Sequence, residues 1–126
     1  YKRQRYIRKH DVRNILDEVI YDSSMITNEH VYAYEKPLRE KAMYKALAKF
    51  IRHRDSDLTK KELAAIDVPV LLLWGEADSI VPLQVGEKLA SALPCARLAT
   101  YPETGHLLPE EMPAETAKAI QSFAEE

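Results

Sequence analysis

A single cysteine, Cys95, in 126 residues excludes an internal disulfide and a thiolate metal cluster. A lone thiol points to a reducing compartment, and so to the cytoplasm, or to a fold indifferent to redox state. With no His or basic neighbour in sequence to lower its pKa, Cys95 reads as inert. The longest apolar run, Val68 to Trp74 with Pro69 inside it, falls far short of the roughly 20 residues that span a bilayer, so no membrane segment is expected. No secretory signal precedes the first helical pattern. Charge of one sign is also missing: 18 Lys+Arg face 20 Asp+Glu, for a net charge of −2 and a pI near 6.1. That balance gives no global field for a polyanion, and nucleic acid is not an expected partner. The local exception is the stretch 1–10, where Lys2, Arg3, Arg5, Arg8 and Lys9 stand without an acid and leave 13 bases against 20 acids elsewhere. A solvated helix face explains this stretch better than a phosphate grip. An initial methionine is absent as well, and a chain beginning at Tyr1 is expected to be part of something longer.

What is present, 46% hydrophobic residues with charges of both signs, fits one soluble globular domain at most. Two regions of different period divide it. Residues 11 to about 63 read as helices: Val12, Ile15, Leu16, Val19 and Ile20 line one helical face behind an N-cap at Asp11. A turn at Asp22-Ser23-Ser24 leads to a short helix from Thr27 to Tyr34, capped by Thr27 and expected to end before Pro37. Leu38, Met43, Leu47, Phe50 and Ile51 mark a third helix, and Thr59-Lys60-Lys61-Glu62 carries the capping-box pattern of a fourth.

From Asp67 the period changes. Val70 to Trp74 is a continuous apolar run between Pro69 and Gly75, the pattern of a strand buried on both faces of a parallel sheet. Leu83, Gly86, Leu89, Ala90 and Leu93 form a helical stripe beginning at Pro82 and closed by Pro94. Arg97 to Tyr101 reads as a second strand, and Pro113, Ala117, Ile120, Phe123 and Ala124 as a final amphipathic helix. Two strands joined by a helix imply a parallel crossover and an α/β class. Two strands are not a whole sheet, so the apolar strand needs further strand neighbours.

Gly75-Glu76-Ala77-Asp78 follows the first strand and Gly105-His106 follows the second, so both stretches leave the carboxyl ends of strands. In parallel sheets loops converge on that rim. An Asp hydrogen-bonded to a His ring N–H fixes its tautomer and leaves the other nitrogen free as a general base. Asp78 taken alone would read as a turn residue or an N-cap. Its place after the strand, with Val81-Pro82 following and Gly105-His106 one unit later, favours the pair.

The run Val68-Pro69-Val70-Leu71-Leu72-Leu73-Trp74-Gly75-Glu76-Ala77-Asp78-Ser79-Ile80-Val81-Pro82 resembles the penultimate strand and acid-bearing loop of the α/β-hydrolase superfamily. Gly105-His106, with Glu111 and Pro113 beyond, resembles the family's histidine loop and the start of its last helix. The resemblance implies that Asp78 is the triad acid and His106 the triad base, in a hydrolase of esters or related bonds that needs no cofactor or metal. It further implies that residues 1–65, with Thr27-Asn28-Glu29 and Lys36-Pro37-Leu38-Arg39, belong to a helical cap and a connecting helix, and that 66–126 form the C-terminal part of the core.

The sequence departs from the family in one large respect. No G-x-S-x-G elbow is present, because Gly75, Gly86 and Gly105 are the only glycines and none is spaced to flank a Ser. The nucleophile, Ser or Asp, and the oxyanion amides are therefore expected upstream of Tyr1. The expected partners are a small-molecule substrate of the intact enzyme and either the missing N-terminal half or a second copy of the chain. A different reading makes the chain a non-catalytic module that pairs through its sheet edge. His10, His30 and His53 have no partner pattern and read as surface or packing residues. Trp74 reads as core, and Tyr32, Tyr34 and Tyr44 as helix-face packing rather than proton donors.

Overall fold

A computed structural model describes residues 12–53 and 57–125, so Lys2–Lys9, His10 and the Asp11 cap lie outside the described residues. Helix α1 (Val12–Val19) is followed by a short 3-10 turn (Ser23–Met25), α2 (Asn28–Leu38), α3 (Lys41–Arg52) and α4 (Lys60–Ala64). The order β1 (Val70–Gly75), α5 (Leu83–Ala92), β2 (Ala96–Tyr101), α6 (Leu108–Glu111) and α7 (Pro113–Ala124) completes the chain. This is the α/β arrangement expected: β1 and β2 pair in parallel, from Val70↔Ala96 to Gly75↔Tyr101, with helices around them.

The helix starts follow from their caps. Thr27 Oγ1 accepts the His30 amide at 3.2 Å, and His30 Nδ1 accepts the Thr27 amide in return at 3.3 Å. Histidine thus fills the position that Glu or Gln holds in most capping boxes. At α4 the expected pair is present, with the Thr59 amide donating to Glu62 at 2.7 Å. Helix α2 does not stop before Pro37 but runs through it to Leu38. Pro37 lies in the last turn, where its missing N–H removes one ladder bond, and the Arg39 amide closes the helix on Glu35 and Lys36. Leu38 therefore belongs to α2 and not to the helix after it.

The buried apolar cluster lies in the helical half: Val12, Leu16, Ile20 and Ile26, with Val19, Val31, Tyr34, Leu38 and Leu107 packed against it. Leu107, the residue after His106, anchors the histidine loop in that cluster. The residues Val70–Trp74 differ from expectation, since all five are half-buried rather than enclosed. Among the described residues β1 has one strand partner, so its other edge has no ladder over it. Helix α7 differs as well: it buries Thr116 and half-buries Ala119 and Phe123, while Ile120 stays 53% exposed. A helix is about 10 Å across and two strands about 4.8 Å apart, so the narrow sheet covers one stripe of α7 and leaves the adjacent one open.

Candidate active site

Because Gly75 and Tyr101 are paired in register, both strands end at the same level and their loops leave side by side. Backbone bonds then tie loop to loop: the Glu76 amide donates to Tyr101 and the Ala77 amide to Thr104. Space is minimal where they touch. A Cβ on Gly75 would lie 2.2 Å from the Gly105 carbonyl oxygen and 2.3 Å from that of Thr104. Neither glycine has a positive φ, so what glycine supplies here is close approach rather than an unusual conformation.

On this base the structure brings Asp78 and His106 together. The Asp78 Oδ1 accepts the amides of Ile80 and Val81, both at 2.8 Å. Its Oδ2 stands 2.9 Å from His106 Nδ1. Asp78 is thus a turn residue and a histidine partner at once, one oxygen for each task. Partial burial raises its pKa, but the bonds from His106, Val81 and Ile80 outweigh that and hold it below its ordinary 3.8. The carboxylate is ionised and accepts only, so Nδ1 must carry the proton and donate it. Nε2 has no protein partner among the described residues. The Asp78 side chain is 7% exposed and that of His106 38%, so the acid is sheltered and the imidazole reachable. A cleft of about 180 Å³, bounded by Leu73, Trp74, Val81 and Leu108, lies against the pair.

Trp74, expected in the core, is only half-buried, and its indole N–H donates to the Val81 carbonyl at 2.9 Å, bracing the acid loop. The last turn of α1 supplies a second brace. Its carbonyls at Glu18 and Val19 have no partner within the helix, and they accept Ser79 Oγ at 2.6 Å and the His106 amide at 2.7 Å. One helix end thereby holds both loops. The pattern of the sequence contained no sign of this, because the acceptors are backbone atoms 61 and 87 residues away in chain order.

The other singled-out residues stay apart from the pair. His30 caps α2, His53 is the exposed C-cap of α3, and Cys95 is an exposed free thiol. Tyr32 is exposed and Tyr44 half-buried. Tyr34 packs on the core cluster as expected, and its hydroxyl also donates to Glu110 in α6. Burial first, then the hydrogen bond and the negative charge of Glu110, push the Tyr34 phenol from 10.0 up to about 12. A folded-state pKa above the unfolded value gives stability that is whole below pH 10 and lost as pH climbs toward about 12. Urea midpoints followed across that window are therefore expected to fall more steeply for the wild-type protein than for Tyr34→Phe. Parallel curves for the two would show that the contact does not carry the dependence.

Among the described residues no group of His, Cys, Asp and Glu could hold a metal ion, and no helix is long and apolar enough to cross a membrane.

The profile of the alpha/beta hydrolase fold matches residues 21–113, which include both loops. The chain belongs to the alpha/beta hydrolase family. It is similar to the uncharacterized hydrolase YugF of Bacillus subtilis, 38% identical over 120 residues that make up 95% of this chain and 44% of that protein. Its fold is similar to that of a meta-cleavage product hydrolase of Pseudomonas fluorescens, with a TM-score of 0.81 over 90% of this chain and 44% of the other, at 19% identity. It is also similar to the carboxylesterase CesB of Bacillus subtilis, 31% identical over 56% of this chain and 25% of that one, at a TM-score of 0.51. The chain spans less than half the length of the curated relatives it matches.

Proposed function

We propose that this alpha/beta hydrolase chain contributes the acid and the base of a nucleophile–His–Asp triad that cleaves an ester or a related bond. The observation that carries the proposal is the 2.9 Å contact between Asp78 Oδ2 and His106 Nδ1, with Nε2 unpartnered among the described residues. In this reading Nε2 takes the proton of an attacking hydroxyl, or of the water that resolves an Asp-bound intermediate, and later returns a proton to the leaving group. Asp78 stays ionised throughout and stabilises the imidazolium that forms.

The nucleophile and the oxyanion amides come from a part of the protein outside these 126 residues, since no elbow pentapeptide is among them. The edge of β1 that lacks a partner among the described residues is where the nucleophile-bearing part of the sheet would pair. Residues 1–65 act as the cap and its connecting helix, 66–126 as the C-terminal core, and the substrate is a small molecule bound between them. The cytoplasm suits a chain with one free thiol. Neither cofactor nor metal enters this chemistry.

The test compares p-nitrophenyl ester hydrolysis by the 126-residue chain and by a protein that also carries an elbow. The chain alone is expected to stay at the solution rate, because the loss of even one oxyanion donor costs on the order of 100-fold. Saturable turnover by the chain alone, abolished by His106→Ala, would place the nucleophile within these residues and overturn the proposal.

A further inference from the structure

Glu111 is a carboxylate that the proposed chemistry leaves without a task, yet it is the one charged side chain among the buried polar residues of the described chain, 9% exposed. It ends α6, five residues after the histidine, and its side chain turns back under the histidine loop. Both of its oxygens lie 3.0 Å from the Gly105 amide, and Oε2 also accepts the Tyr21 amide at 2.8 Å. Gly105 directly precedes His106, and Tyr21 lies two residues beyond the α1 carbonyl that accepts the His106 amide. The loop is therefore held on consecutive amides: Gly105 by Glu111, and His106 by Val19.

We propose that Glu111 is a positioning residue for His106: by binding the Gly105 and Tyr21 amides together it fixes the histidine loop against the end of α1 and holds the imidazole on Asp78. Three features make the carboxylate fit this task better than the adjacent Glu110. Glu110 is exposed and accepts from the Tyr34 hydroxyl, whereas Glu111 is buried. Amides aimed at a carboxylate form charge-assisted bonds, stronger and less easily exchanged for water than neutral ones. The site also has no slack, because a Cβ on Gly105 would stand 2.4 Å from the Val19 carbonyl oxygen and 3.0 Å from Glu111 Oε1. Without the carboxylate, the Gly105 amide is left buried and unpaired, and the loop must open toward water to satisfy it. His106 moves with it, and a displacement of about 1 Å at a catalytic group costs on the order of 100-fold in rate.

This inference rests on the triad reading above, and its test separates the two. In the intact enzyme Glu111→Ala and Glu111→Gln are compared with His106→Ala for kcat, KM and the low-field proton resonance of the His106–Asp78 hydrogen bond. The expected result for Glu111→Ala is a kcat lower by about 100-fold with KM little changed, and a low-field proton broadened by exchange. Glu111→Gln keeps one acceptor oxygen and is expected to recover most of the loss, to within about 5–10-fold of wild type, with the resonance sharp but shifted. If His106→Ala is inactive while Glu111→Ala keeps wild-type kcat and an unaltered resonance, the positioning inference fails and the triad stands. If His106→Ala retains full activity, the triad reading itself fails. Should Glu111→Ala not fold, Glu111→Gln decides: wild-type kcat with an unshifted resonance overturns the inference.

Discussion

Replacing His106 by alanine is expected to lower turnover of the intact enzyme by about 10⁴ or more while leaving the fold in place, because members of a triad act as a unit. The structural side of that expectation is the exposure of His106: at 38% its ring carries little of the packing, so removing it takes away a proton carrier rather than a core residue. Asp78→Asn should cost about 10⁴ as well, for a different reason. An amide in place of the carboxylate can offer its N–H to His106 and turn the ring to the wrong tautomer. At Oδ1 the amides of Ile80 and Val81 keep their acceptor, so the loop itself should survive. The depressed pKa of Asp78 adds a sign. Its contribution to stability is whole above 3.8 and is lost as pH falls through the lower folded value, so wild type should lose more stability than Asp78→Asn under acid. Steady-state kinetics on a p-nitrophenyl ester and acid unfolding of the same variants check both statements. Activity of His106→Ala within tenfold of wild type would assign the base elsewhere.

The parts of this site that were legible in sequence are those encoded by short-range pattern. Thr59 with Glu62 spells its own cap, the apolar run from Val70 spells a strand, and the placement of Asp78 and His106 after two strands spells a shared rim, since parallel strands in register leave loops on one edge. What sequence could not show depends on which atoms meet at a distance. Glu110 and Glu111 are chemically identical neighbours, and only the turn of α6 sends one to Tyr34 and the other beneath the histidine loop. The α1 carbonyls at Glu18 and Val19 carry no side-chain signature at all. The open edge of β1 was expected from two strands being less than a sheet, whereas the exposure of the Ile120 stripe escaped the pattern. Apolar periodicity reports what a segment needs to bury and not whether this stretch of chain supplies the cover.

Gly75→Ala is expected to damage stability and turnover together. The new Cβ would stand 2.2 Å from the Gly105 carbonyl oxygen, 2.3 Å from that of Thr104 and 2.8 Å from the Thr104 carbonyl carbon. All three are backbone atoms, so no side chain can swing aside. The histidine loop must move, and it is held on its far side by the Val19 carbonyl and Glu111, which leaves it little room. Overpacking usually costs about 1–3 kcal/mol, and with backbone as the obstacle the expectation lies at the top of that range, about 3 kcal/mol. The same displacement separates His106 from Asp78, so kcat should fall by about 100-fold in the intact enzyme. Gly86→Ala supplies the contrast. There the Cβ would meet ring carbons of Trp74 at 2.8 Å, and a side chain can yield where a carbonyl cannot. That variant should lose nearer 1 kcal/mol and keep most of its turnover, since a yielding Trp74 ring passes the strain to the acid loop through its bond to Val81 rather than through the backbone. Urea denaturation and steady-state kinetics on the two variants decide the matter. If Gly75→Ala unfolds at the wild-type midpoint with wild-type kcat, then the contact between the two strand-end loops does not set the geometry of the Asp78–His106 pair.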